Sequence, residues 1–154
     1  MESIKKIICP VDFSEPSLAA LQSAVALAQK YTAKIILVHA VTEIDPAPSP
    51  SYTLNHTFMD QIPQIMAQIR ENAQQALQQQ VDTIVQKGVA VEPRVLTGAP
   101  AANIVRLADE AQADLIVMAT HGRSGLSGLI FGSVAEKVVR TATCAVLTIR
   151  DGGK

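Results

Sequence analysis

Apolar residues follow two alternating patterns along the chain. Short runs rich in Ile, Val and Leu are compact enough to be buried strands, and they cover residues 4–11, 34–41, 89–96, 114–119 and 144–150. The segments between them place apolar residues three or four positions apart, the spacing of amphipathic helices. Strands alternating with helices indicate a parallel sheet with right-handed crossovers and helices on both faces. Polar interruptions in the third run favour an edge position for that strand.

Capping residues mark the starts of three helices. Ser14 is a candidate N-cap and predicts a helix that ends near Lys30. Pro100 fits the first turn of a third helix. Gly132 and Ser133 open a short fourth helix that ends near residue 141.

The second helix follows a change in composition. Residues 42–59 contain three prolines among Ser, Thr and Asp residues, which predicts a long loop. A helix is expected over residues 61–86, with Gly88 as its candidate C-cap. Its predicted apolar stripe consists of Ile62, Ile65, Ile69, Ala73, Leu77, Ile84 and Val85. The opposite face is mostly glutamine, and we expect it to be solvated.

Composition narrows the classes of function. The 154 residues are 48% hydrophobic but only 3% aromatic, which suits one α/β domain over residues 1–154 with an aliphatic core. A net charge of -1 argues against a nucleic-acid-binding protein. The sequence has neither a signal peptide nor an apolar run of about 18 residues, so we expect a cytoplasmic protein without membrane contact. Cys9 and Cys144 lack a metal-binding spacing and are expected to be small buried hydrophobes.

Residues 119–134 carry the strongest chemical signal. They follow the fourth strand, open the fourth helix, and include three glycines that let the backbone approach a ligand closely: Gly122, Gly125 and Gly128. The amides and dipole at the start of that helix favour an anion, and Arg123 adds a positive charge. A phosphate group fits this arrangement. A glycine loop that ends in a helix cap at Ser133 fits equally well, so both interpretations stay open.

The chain offers few candidates for catalysis. His39 and His121 are candidate general bases, although histidines in such places more often hydrogen-bond to the backbone. No Ser-His-Asp set or pair of carboxylates stands out by position. The P-loop pattern and a GxGxxG segment after the first strand are both absent from the sequence. These observations favour a binding protein over an enzyme.

Four segments together resemble the universal stress protein family (UspA superfamily), and the resemblance runs through the whole chain. They are Pro10-Val11-Asp12-Phe13-Ser14, Leu37-Val38-His39-Ala40-Val41, Gly98-Ala99-Pro100, and the block from Met118-Ala119-Thr120-His121-Gly122 to Gly132-Ser133. The last block is similar to the ATP-binding branch, whose pattern is Gly, two residues, Gly, nine residues, Gly, Ser or Thr. The chain departs from that pattern once, because Ala119 stands where the first glycine is usual.

The resemblance implies a fold and a ligand. The fold is an open, Rossmann-like, parallel five-stranded sheet in the order 3-2-1-4-5, and the ligand is ATP with Mg²⁺ carried by the nucleotide. Asp12 would contact the ribose or a metal-linked water, although an Asx turn before Ser14 is the simpler role for it. The backbone at Ala40 would hold the adenine edge. The binding residues implied are Pro10, Val11, Asp12, Ala40, Met118, Ala119, His121, Gly122, Arg123, Gly125, Gly132, Ser133 and Val134.

The resemblance also implies a homodimer in which two fifth strands pair between Val146 and Ile149, an apolar edge if left unpaired. The implied function is that of a nucleotide-dependent regulatory or stress-response protein with an unidentified protein partner. One alternative is a slow ATP hydrolase in which His121 or Asp12 positions the water. Another is a nucleotide-free dimeric adaptor, against which the retained Gly122, Gly132 and Ser133 argue.

Overall fold

The predicted alternation of strands and helices is confirmed by a computed structural model, which describes residues 3–44, 56–122 and 131–150. These residues form β1 (Lys6–Pro10), α1 (Glu15–Tyr31), β2 (Lys34–Val41), α2 (His56–Val85), β3 (Val91–Thr97), α3 (Pro100–Ala111), β4 (Leu115–Ala119), α4 (Ser133–Thr141) and β5 (Ala145–Ile149). Among the described residues, no helix is long and apolar enough to cross a membrane.

The five strands form one sheet in the order β3-β2-β1-β4-β5, and every neighbouring pair is parallel. This is the order implied by the resemblance, and β3 lies at an edge as its polar interruptions predicted. The chain leaves β1 toward β2 on one side and leaves β4 toward β5 on the other. The carboxyl ends of β1 and β4 therefore form the switch point at which open α/β sheets bind ligands.

Each face of the sheet carries its own apolar layer. Ile7 and Cys9 of β1 pack under α1 and α2, whereas Ile8 packs under α3 and α4, because successive side chains of a strand point to opposite faces. Cys9 is fully buried, and this burial raises the pKa of its thiol to about 12. Cys144 is only partly buried, against the layer under α3 and α4. The prediction of a buried hydrophobe therefore holds fully for Cys9 alone.

The side chain of Asp114 joins the beginning of β4 to the beginning of β1. Its Oδ2 accepts hydrogen bonds from the backbone amides of Lys5 at 2.8 Å and Lys6 at 2.9 Å. These two bonds lower the pKa of the Asp114 carboxyl, because they favour its charged form. The side chain therefore fixes β4 beside β1 at the end of the sheet opposite the switch point.

The start of α2 differs from its prediction. The helix begins at His56, so residues 56–59, which were expected to belong to the proline-rich loop, are helical. Residues 45–55 of that loop lie outside the described part of the chain. Met66, one turn beyond Pro63, packs with Val41 in a small apolar cluster, so tertiary contact supports this part of the helix despite its internal proline.

The apolar stripe of α2 is also partly corrected. Met66 and Val81 are buried although neither was assigned to the stripe, and Val85, which was assigned to it, is 56% exposed. Val85 is the last residue of the helix, just before the chain turns through Gly88, at φ +76°, toward β3. The helical period was correct, but it could not show where along the helix the contact with the sheet ends.

Candidate functional site

A cavity of about 310 Å³ lies at the switch point, between the carboxyl ends of β1 and β4 and the first turns of α3 and α4. Its volume falls at the lower end of the range of roughly 300–1,000 Å³ seen for small-molecule sites. It is lined by Pro10, Val11, Asp12, Ser17, Ala40, Pro100, Ile104, Met118, Ala119, Thr120, His121, Gly122, Gly132, Ser133, Val134 and Ala135.

Every candidate binding residue that the structure describes lies on the wall of this cavity, and Arg123 and Gly125 lie outside the described residues. What each of them binds stays a prediction. Sequence reasoning missed five lining residues: Ser17, Pro100, Ile104, Thr120 and Ala135. The four-residue spacing of Pro100 and Ile104 at the start of a helix was a usable signal, because such positions share one face. Ser17 carried no comparable signal.

Asp12 lies in the turn between β1 and α1. Its Oδ1 accepts hydrogen bonds from the backbone N–H of Ser14, at 3.1 Å, and from the Ser14 hydroxyl. The amide of Asp12 donates to the hydroxyl of Ser17 at 3.3 Å. Ser14 in turn caps α1 by accepting from the amide of Ser17, as predicted. The simpler role expected for Asp12, an Asx turn, is therefore present, and the same residue lines the cavity.

Gly122 lies against the carboxylate of Asp12. A β-carbon at this position would collide with Asp12 Oδ2. The absence of a side chain here therefore lets the segment after β4 approach the turn after β1. The two loops that meet at the switch point touch through this contact.

Gly132 caps α4 and closes the other side of the cavity. Its N–H donates to the carbonyl of Thr120 at 2.7 Å, and its own carbonyl accepts from the amide of Glu136. A β-carbon at Gly132 would lie 3.3 Å from the Thr120 oxygen, a tight contact, so glycine favours this close approach and is not required here by a positive φ. The cap is thus Gly132 and not Ser133, the position proposed in the alternative interpretation of this segment.

The first turn of α4 gives the cavity its electrostatic character. Ser133 and Val134 are the first two residues of this nine-residue helix, and both line the cavity. Amides in the first turn of a helix have no partner within the helix, and the helix dipole adds partial positive charge there. This end of the cavity therefore favours an anionic group.

The two candidate histidines, His39 and His121, have different partners. His39 Nδ1 lies 2.8 Å from the carbonyl oxygen of Val11, and because a carbonyl only accepts, this nitrogen carries the proton. The expected backbone hydrogen bond is thus confirmed for His39. His121 Nδ1 lies 3.0 Å from Oγ1 of Thr120, a buried side chain, so its observed partner is a hydroxyl. Of these two side chains, that of His121 lies on the cavity wall and that of His39 does not.

The fold and the sequence of this chain are both similar to those of known proteins. The sheet order is that of an open α/β protein, and the cavity lies at the switch point, where sheets of this kind bind ligands. The sequence profile of the universal stress protein family matches residues 3–150, so the chain belongs to that family. Universal stress protein MJ0531 of Methanocaldococcus jannaschii is 34% identical over 146 residues, which are 95% of this chain and 82% of that protein.

Solved structures of similar proteins agree with the fold. The structure of MJ0577, also from Methanocaldococcus jannaschii, superposes with a TM-score of 0.84 over 98% of this chain and 99% of that one, at 24% identity. A universal stress protein in complex with cAMP has a TM-score of 0.63 and 27% identity, covering 97% and 98% of the two chains. One from Archaeoglobus fulgidus in complex with dAMP has a TM-score of 0.62 and 24% identity, covering 97% and 99%. Structural relatives of this chain thus bind adenine nucleotides.

Proposed function

We propose that this protein belongs to the ATP-binding branch of its family and binds ATP in the cavity at the switch point, as a nucleotide-dependent regulatory protein. The observation that carries the proposal is the start of α4, where Ser133 and Val134 line a cavity that Gly122 and Gly132 keep open. Phosphate groups suit this end, because it presents helix amides and the positive end of a dipole.

The rest of the cavity suits a nucleoside. Met118, Ile104 and Val134 give it an apolar wall against which a base can pack. The carboxylate of Asp12 would repel a bare phosphate, so we assign it to a ribose hydroxyl or to a water bound to Mg²⁺. Among the described residues, no group of three His, Cys, Asp or Glu side chains could hold a metal. The phosphates themselves would therefore hold most of the Mg²⁺.

Related structures support the ligand class. Two similar proteins were solved with cAMP and dAMP, both adenine nucleotides with a single phosphate. The choice of ATP rests on the resemblance of residues 119–133 to the ATP-binding pattern. AMP and cAMP are therefore the competitors that the experiment must include.

Thermal melting of nucleotide-stripped protein tests the proposal. At MgATP a hundredfold above Kd, binding adds about 2.7 kcal/mol to the free energy of unfolding. For a domain of this size, that raises Tm by about 5–10 °C. A smaller shift with AMP and cAMP at the same concentration is expected, because they place fewer charges at the helix start. No shift with any of the three would contradict nucleotide binding and favour the adaptor alternative.

Ser133 offers a matched pair of variants. Its side chain is exposed at the first position of α4, so Ser133→Glu and Ser133→Gln should both fold, and Glu is favourable to the helix itself. Ser133→Glu places a carboxylate where the phosphates are proposed to bind and should abolish most of the MgATP shift. Ser133→Gln should keep it. An equal shift in both variants would mean that the phosphates bind elsewhere.

A homodimer is the second part of the proposal. The edge strand β5 exposes Leu147, and α4 beside it exposes Val139. Two copies that pair along β5 would cover Leu147 and remove an unpaired sheet edge.

A further inference from the structure

Phe13 has an unusual backbone conformation. Three non-glycine residues of the described chain have positive φ: Phe13 at 63°, Thr32 at 56° and Gln112 at 50°. Thr32 and Gln112 are the C-caps of α1 and α3, where a left-handed residue is ordinary. Phe13 instead precedes a helix and carries a bulky side chain, for which this conformation is strained. Such strain persists only when the surroundings hold the residue in place.

His39, on the neighbouring strand β2, contacts Phe13 and holds it in this conformation. Its ring packs against the ring of Phe13, with centroids 4.7 Å apart and planes inclined by 42°. Its Nδ1 donates to the carbonyl of Val11 at 2.8 Å. The side chain of His39 therefore contacts both neighbours of Asp12 in the sequence, Val11 and Phe13.

The consequence is a fixed orientation for Asp12. The left-handed turn at Phe13 brings the amide of Ser14 back to Asp12 Oδ1, at 3.1 Å. The other carboxylate oxygen then lies against Gly122 on the wall of the cavity. A relaxed φ at residue 13 would change the path of the chain between Asp12 and Ser14 and break this arrangement.

We infer that Phe13 and His39 are positioning residues that set the carboxylate of Asp12 for its contact with the nucleotide. The inference rests on the proposed function, because the ligand it names is the adenine nucleotide of that proposal. Neither side chain needs to touch the nucleotide. Both would act through Asp12, and this dependence is what the experiment measures.

Nucleotide affinity in two backgrounds provides the first test. Phe13→Val removes the ring and places a β-branched residue, which disfavours positive φ, at the left-handed position. His39→Gln keeps an amide donor for Val11 but removes the ring contact. Each should weaken MgATP binding by about tenfold or more, the size of a lost hydrogen bond to a charged group. In an Asp12→Ala background, the same substitutions should change Kd by less than about twofold. An equal loss in both backgrounds, or none in the first, would overturn the inference.

Gln112→Val is the matched control. It places the same β-branched residue at an exposed left-handed position of similar φ, at the end of α3 away from the cavity. We expect MgATP affinity to be unchanged in this variant. A loss equal to that of Phe13→Val would mean that a β-branched residue at any left-handed position weakens binding, and the specific role of Phe13 would be wrong.

Amide exchange at Ser14 tests the positioning without any nucleotide. In the parent this amide is protected by Asp12 Oδ1, and Asp12→Ala sets the rate for complete loss of that protection. Phe13→Val should exchange at a rate close to that of Asp12→Ala, whereas Gln112→Val should match the parent. If the parent binds no nucleotide, the proposed function fails while this measurement still decides the positioning. Unchanged exchange in Phe13→Val would refute the positioning whatever the binding result.

Discussion

At the scale of single residues, Gly122 has the most restricted environment in the site. A β-carbon there meets Asp12 Oδ2, so Gly122→Ala forces the carboxylate or the backbone to move. We expect a loss of about 1–3 kcal/mol in the free energy of unfolding, the usual cost of overpacking, measured by urea denaturation. Nucleotide affinity should fall with it, because Asp12 is displaced.

Two comparisons make that prediction specific. In an Asp12→Ala background the collision is absent, so Gly122→Ala should cost less than about 0.5 kcal/mol. Gly88→Ala should also destabilise the parent, by about 1 kcal/mol, but its cost comes from φ +76° in open space and Asp12→Ala should not relieve it. Equal costs for Gly122→Ala in both backgrounds would show that Asp12 is not the obstacle.

Gly122 and Gly132 also show how much of the site can be predicted from residue types alone. The sequence singled out Gly122 and Gly132 because glycine permits close approach, and both lie on the cavity. Gly122 approaches the carboxylate of Asp12, and Gly132 approaches the carbonyl of Thr120. Neither neighbour could be identified from the spacing of residues, because the fold brings each pair together. The left-handed Phe13 was likewise invisible, because nothing local in the sequence demands it.

At the scale of elements, Asp114 holds the starts of β1 and β4 together. Its folded pKa lies below the ordinary value of 3.8, so its contribution is complete above that pH and is lost as the pH falls through the lower, folded pKa. Asp114→Asn should cost about 1 kcal/mol at pH 7, since its amide oxygen can accept the same two bonds but without the charge that strengthens them, at a partly solvated site. Urea midpoints of parent and variant should converge as the pH is lowered below 4. A constant difference across that range would contradict this role.

The strands and helices were predictable wherever the apolar residues followed a regular period. Apolar runs located all five strands to within two residues at either end, and Ser14 and Pro100 marked the starts of α1 and α3. The prediction failed at the start of α2, because His56 and its neighbours show no apolar period. Tertiary packing of Met66 against Val41 supports the N-terminal part of that helix, and a local pattern does not contain such contacts.

At the scale of the whole molecule, alternation of strands and helices determined the class of fold but not the order of the strands. Right-handed crossovers are compatible with several orders, and the choice of 3-2-1-4-5 came from the resemblance of the motifs to a family. That order is what brings Asp12 to Gly122, since it makes β1 and β4 neighbours. The candidate site could therefore be assembled from the sequence only after the family had been recognised.

The proposed dimer is tested by changing the open edge of the sheet. Leu147 on β5 is 38% exposed, so Leu147→Lys should leave the fold intact, because a lysine can extend its ammonium group into water. In a symmetric dimer the substitution occurs twice at the interface, and each buried ammonium costs several kcal/mol, so we expect at least about a hundredfold weaker association. Sedimentation velocity across a dilution series measures this. Val85→Lys, which changes an exposed residue at the end of α2, should sediment as the parent does. A monomeric parent, or a Leu147→Lys protein that dimerises as the parent does, would contradict pairing through β5.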